Sequence, residues 1–224
     1  MDEDRTQNLF VPLKPEKLLH AKQYHPLDGQ IMFWHGEWQE YVITVIADEK
    51  NYTVRDYNIL PEGAPYQLIQ GKLVFMAAPN DTHQKISMRL SIMLGNYIME
   101  NNLGELRAAP YDVQLDQENI LQPDLLFVSI KRVSRIKQKL FGAPDFVVEI
   151  LSVGNQKTDR EIKKQLYGSH GVLEYWIVHP TDQYIEVHHN EGHEMKLIHT
   201  AYKGDIISSK AIAGLELVVA QVFG

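Results

Sequence analysis

The 224-residue chain has no cysteine. That excludes disulfides and thiolate-held metal sites, and it suits a reducing compartment. No apolar run approaches the roughly 20 residues that a membrane-crossing helix needs. The opening MDEDRTQNLF is acidic and polar, unlike a secretory signal, so the expected setting is cytoplasmic with no membrane partner. Basic residues are in deficit as well: 22 Lys and Arg stand against 29 Asp and Glu, for a net charge of −7. Domains that grip nucleic acid without base preference are usually basic, because phosphate neutralisation drives that binding. Any polyanion-binding surface here must therefore be local. Internal repeats and low-complexity linkers are missing too.

What remains is ordinary globular composition, 44% hydrophobic and 23% charged. The length suits one domain with a substantial core and an appended arm. Residues 1–50 read as that N-terminal arm or hairpin, with apolar material in IMFWHGEW and YVITVIA. Residues 51–224 read as the main domain. There, Thr53 caps a short helix reaching Leu60, and YQLIQGKLVFM alternates about a turn at Gln70 and Gly71. DTHQKISMRLSIMLGNYIMENN places Ile86, Leu90, Met93, Leu94, Tyr97 and Ile98 at helical spacing behind a capping Asp81 or Thr82.

Three strand-like runs follow, LRAAPYDVQLD, DLLFVS and FVVEILS. TDREIKKQLYGSHG then reads as a polar helix capped by Thr158 or Asp159 and stopped at Gly171. EYWIVHP, YIEVHHN and EMKLIHTAYK look like strands that close a sheet. This order predicts an α/β fold, a mixed β-sheet flanked by helices.

Two acids sit where burial ought to forbid them. Asp124 opens DLLFVS and Glu149 lies inside FVVEILS, whose apolar residues on both faces mark a central strand. An ionised carboxylate there is costly unless a cation or donors compensate it. Antiparallel pairing of the two runs sets Asp124 beside Glu149 at one edge of the sheet. A hard divalent cation with oxygen ligands would remove their repulsion. Asp145 is four residues from Glu149 along the same face, roughly 13 Å away, too far to share one ion. It is assigned to the start of the strand.

If such an ion acts on a phosphate ester, a cationic group is also needed to stabilise charge building on phosphorus. Lys163 and Lys164 follow Glu149 on the polar helix, and Lys163 is preferred because Tyr167 lies one turn on along its face. Two readings stay open: Lys163 reaches back to the sheet edge, or it pairs with Asp159 on a solvated surface. The run KRVSRIKQK carries five basic residues from Lys131 to Lys139 with no acid, and reads equally as a solvated loop or a phosphate-facing patch. In the C-terminal strands, Glu186 and His188 share a face and form the best candidate zinc pair. A polar outer face on an edge hairpin explains them more simply.

Taken together, QPDLLFVS, GAPDFVVEILS and DREIKKQLYGSHGVLEYWIVHP, preceded by APNDTHQKI and APYDVQL, resemble the Uma-two family of restriction endonucleases within the PD-(D/E)XK nuclease superfamily. The resemblance runs from about Tyr52 to the C-terminus. It implies a restriction-endonuclease-like core, usually homodimeric, that binds Mg2+ or Mn2+ and hydrolyses phosphodiester bonds in DNA. By that likeness Asp124 matches the PD aspartate and Glu149 the second acid. The superfamily lysine two residues later is Leu151 here, and Lys163 matches the helix position that carries it in this family. The resemblance further implies the Ile150 carbonyl as third metal ligand, and aligns His83 with a histidine that recurs where the long helix starts. His83 reads either as a base or phosphate contact or as a structural residue.

One departure weakens the match. Gln67 and Lys72 stand in YQLIQGKL where the family usually carries acids. A second metal site is thereby weakened, and a nuclease-fold binding module that no longer cuts becomes the alternative. A phosphohydrolase acting on small nucleotides is a third reading, suited to the acidic net charge.

Overall fold

The computed structural model describes residues 21–27, 30–35, 40–44, 51–58, 60, 63–76, 78–152 and 158–224. The chain divides into two compact units after Ala77, with Asp116–Ile120 belonging to the first. Apart from three strands, the expected arm over 1–50 lies outside the described residues. Those strands, β1 (Ala21–Leu27), β2 (Gln30–His35) and β3 (Glu40–Thr44), form an antiparallel sheet in chain order.

In the same unit, helix α1 (Val54–Tyr57) ends three residues short of the expected Leu60. Asp56 Oδ2 accepts from both the backbone N–H and the hydroxyl of Thr53, each at 2.9 Å, which closes the first turn. The predicted hairpin forms from β4 (Tyr66–Ile69) and β5 (Lys72–Phe75). Gln70 and Gly71 both have positive φ, 50° and 72°, as the two-residue primed turn requires. Asn119 Oδ1 accepts from Gln70 N at 2.8 Å, and Leu68 pairs with Ile120. Tyr52, Val54, Tyr57, Tyr66, Leu68 and Ile120 make this unit's apolar core.

The second unit starts with α2 (Asp81–Glu100). Its cap is Asn80, one residue before the expected pair: Asn80 Oδ1 accepts from the N–H of His83 at 2.9 Å. Next along the chain are β6 (Gly104–Ala108), β7 (Val113–Gln114), the two-residue β8 (Ile120–Leu121), whose Ile120 belongs to the first unit, and β9 (Leu125–Ser129). The single strand expected over LRAAPYDVQLD is thus broken between β6 and β7, at the cis Ala109–Pro110 bond. Then come β10 (Leu140–Phe141), β11 (Phe146–Ile150), a π-helical turn (Thr158–Lys163) and α3 (Lys164–Ser169). Strands β12 (Glu174–His179), β13 (Tyr184–Glu191) and β14 (Glu194–Tyr202) lead to the small hairpin β15 (Ile206–Ser208) and β16 (Glu216–Val218), and to α4 (Val219–Phe223).

Six strands build the main sheet in the order β14-β13-β12-β11-β9-β6. Only β11 and β12 run parallel; every other neighbouring pair is antiparallel. The alternation of β11 decides what each face carries. Phe146, Val148 and Ile150 join Trp176 and Val178 in one apolar layer with Ile86, Leu90, Leu94 and Ile98 of α2. Phe146 meets Trp176 edge-on, ring centroids 4.9 Å apart. Val147 and Glu149 point to the opposite face, beside Tyr175 and Ile177 of β12. The turn Thr158–Lys163 and α3 cover that face, with the Tyr167 and Tyr175 rings 5.2 Å apart.

Candidate active site

Strands β9 and β11 pair Phe127 with Phe146, Leu126 with Val147 and Leu125 with Val148. Continuing that antiparallel register by one residue sets Asp124 opposite Glu149, on the same face of the sheet. The backbone closes the arrangement, since the N–H of Ile150 donates to Asp124 Oδ2 at 2.6 Å. His83 Nε2 lies 3.2 Å from the same oxygen. Asn80 places that ring, because its cap fixes the first turn of α2 at His83.

Glu149 is almost wholly buried and does not stand alone. Tyr167 donates its hydroxyl to Glu149 Oε1 at 2.7 Å, and Lys163 Nζ lies 3.0 Å from the same atom. Lys163 also lies 3.1 Å from Asp159 Oδ1, one helical turn back. Of the two sequence readings for this lysine, the solvated one fails: the Lys163, Glu149 and Asp159 side chains are each exposed by only 4–5%. The pairing with Asp159 exists, but inside the protein and shared with Glu149. Asp159 is the residue that sequence reasoning left on the surface. Its signal was present as the i, i+4 spacing to Lys163.

Electrostatics follow from three acids facing one lysine and one histidine. Burial pushes Glu149 up to about 8; Asp159 and Asp124 add to the rise, while Lys163 and the Tyr167 hydrogen bond oppose it. Burial likewise raises Asp159 against the pull of Lys163. For Lys163, burial favours the neutral amine, but Glu149 and Asp159 overcome it and hold the ammonium above its ordinary range. His83 behaves similarly: burial lowers it, the Asp124 hydrogen bond and charge outweigh that, and the net shift is upward.

A divalent cation such as Mg2+ asks for hard oxygen donors. Among the described residues no three His, Asp or Glu side chains converge as a ready cage. Mg2+ rarely asks for one, since it keeps several waters and takes one or two carboxylates. Asp124, Glu149 and the Ile150 carbonyl supply hard oxygen donors of that kind. Burial lifts Glu149 most, and Asp159 and Asp124 add to it; a cation there would favour the ionised carboxylate against both effects. The residues present fit the ion.

Asp145 and the Glu186–His188 pair have partners of their own. Asp145 accepts from Ser129 N at 2.8 Å and pairs with Arg132 at 3.1 Å, so it anchors the start of β11. Arg132 is thereby withdrawn from the basic run, whereas Lys131, Arg135 and Lys137 are exposed. Gln67 lies buried in β4 of the first unit, opposite Val74, and Lys72 opens β5 with its side chain exposed. Glu186 does meet His188, at 3.1 Å, but its other oxygen takes Arg160 at 3.0 Å. Arg160 also reaches His179 Nε2 at 2.7 Å. The Glu186–His188 pair is thus part of an ion-pair and hydrogen-bond network with Arg160 and His179.

Comparison with known proteins adds a family and a fold. The family model described as "Uma2: Putative restriction endonuclease" matches residues 54–220. An uncharacterized protein of Synechocystis is 26% identical over 160 residues, spanning 70% of this chain and 83% of the relative. The crystal structure of a "putative nuclease" from Anabaena variabilis superposes with a TM-score of 0.67 at 19% identity, covering 76% of this chain and 97% of that one. At that identity the likeness establishes the fold, which agrees with the restriction-endonuclease-like core expected from the sequence.

Proposed function

The chain belongs to the Uma2 restriction endonuclease family, and on that premise we propose that it is a metal-dependent nuclease that hydrolyses phosphodiester bonds in DNA. One observation carries the proposal: Asp124 and Glu149 lie opposite each other across β9 and β11, with the buried ammonium of Lys163 at 3.0 Å from Glu149. Asp124, Glu149 and the carbonyl of Ile150 would hold Mg2+ or Mn2+. Bound there, the cation would supply a water activated as a nucleophile toward phosphorus by easier loss of its proton, and a Lewis acid for the phosphate oxygens.

The chain's own residues do the rest. The Ile150 N–H and the His83 ring fix the Asp124 carboxylate through Oδ2, leaving Oδ1 for a ligand. Tyr167 holds the rotamer of Glu149 from the helix side. Lys163, kept protonated by its acidic neighbours, brings a positive charge to stabilise the charge that develops on the phosphate. Burial of these groups lowers the local dielectric, so each interaction counts for more than it would in water.

Cleavage of plasmid DNA with added Mg2+ or Mn2+ tests the reading. Wild type is expected to cut only with the metal present. Asp124→Ala and Glu149→Ala should each lose at least about a hundredfold, the scale of removing one group from an electrostatic site. Cleavage that survives both substitutions contradicts the assignment. Free nucleotides assayed beside the plasmid separate this function from a small-nucleotide phosphohydrolase.

A further inference from the structure

Lys163 has two counter-ions in the structure, Glu149 at 3.0 Å and Asp159 at 3.1 Å, and a site that binds a cation must take one of them away. A divalent ion on Glu149 repels the ammonium that shares the same carboxylate. With its side chain only 5% exposed, Lys163 has no solvent to retreat into. A buried charge stripped of its partner is strongly unfavourable, so the ammonium must keep another. Among the ion pairs of the described residues, Asp159 is the one other carboxylate on it.

We infer that Asp159 is the positioning residue for Lys163: it retains the ammonium beside the reacting phosphate once a divalent cation claims Glu149. The inference rests on the nuclease reading above and adds a role which that reading leaves unfilled. Two tethers equip Asp159 for it. Tyr175 donates its hydroxyl to the Asp159 carbonyl at 3.1 Å, pinning the turn to β12. The next residue, Arg160, is locked to Glu186 at 3.0 Å and to His179 at 2.7 Å, pinning it to β12 and β13. With the backbone of the turn held on both sides, the Asp159 carboxylate stays where it is and the lysine pivots about it. The Arg160 cluster, idle in the nuclease reading, becomes the clamp for that turn.

Calorimetric titration of the full-length protein with Mn2+ tests this through a double-mutant cycle. Asp159→Asn should weaken Mn2+ binding roughly tenfold or more, the scale of losing a group that orients a metal site. Without its second counter-ion, Lys163 would compete with the metal for Glu149. In a Lys163→Met background the same substitution should change the affinity by less than about threefold, because no ammonium is left to hold. Equal losses in both backgrounds would make Asp159 a direct metal ligand and overturn the inference while leaving the nuclease reading intact. No loss in either background overturns it as well. Failure of wild type to bind Mn2+ at all overturns both.

A second readout leaves Lys163 intact, should its replacement prevent folding. During Mg2+ titration the 15Nζ resonance of Lys163 should stay protected from solvent exchange in wild type and lose that protection in Asp159→Asn. Protection that survives in the variant contradicts the role.

Discussion

At the scale of single residues, Glu149 gathers the opposing demands of the site. Burial and two neighbouring acids push its carboxyl up to about 8, against one lysine and one tyrosine that favour the anion. Below that value a cation has to displace a proton to reach both oxygens, and above it the carboxylate is already bare. The sign is therefore fixed: Mn2+ affinity should rise with pH through neutrality, by up to about tenfold per unit, and level off above pH 8. Calorimetry at pH 6, 7 and 8 checks it, and an affinity flat across that range contradicts it. In Glu149→Gln the slope should vanish together with most of the binding. Asp124 and Glu149 were legible in the sequence because an acid inside an apolar strand is anomalous without a partner. Asp159 was not. TDREIKKQL reads as a solvated helix: the i, i+4 spacing suggests the pairing with Lys163, but nothing local announces that the pair is buried.

At the scale of elements, the site depends on the first turns of two helices. Asn80 closes the start of α2 and so sets the height at which His83 meets Asp124. Asn80→Ala should cost about 1 kcal/mol in a urea melt, the usual loss for an N-cap. A loss near zero would mean that another group caps the helix. The cap was only nearly legible, because Asn80, Asp81 and Thr82 are three capping residues in a row and propensity alone cannot choose among them. The apolar face of α2 was clearer. Ile86, Leu90, Leu94 and Ile98 repeat at helical spacing and all four are buried. Around Lys163 the expected α-helix begins instead as a π-helical turn over Thr158–Lys163. Such turns concentrate at functional sites, and no sequence rule places one.

At the scale of the whole molecule, the order of helices and strands foretold the mixed sheet. Antiparallel pairing of β9 with β11 brings the two acids together, and parallel pairing of β11 with β12 carries their face on to Tyr175 and the tethered helix. The small β15–β16 hairpin was missed, since two three-residue strands leave no periodicity to read. A net charge of −7 does not oppose a DNA substrate if the positive field is local. Lys131, Arg135 and Lys137 are exposed on their segment and would supply such a field.

The central claim is that two carboxylates from neighbouring strands share one divalent cation. A crystal soaked in Mn2+, with anomalous diffraction collected to locate the ion, tests it most directly. The account predicts a single strong peak within about 2.5 Å of an oxygen of Asp124 and an oxygen of Glu149, with the Ile150 carbonyl in reach. An ion bound elsewhere, or none at millimolar Mn2+ with Lys163 still seated on Glu149, would contradict it.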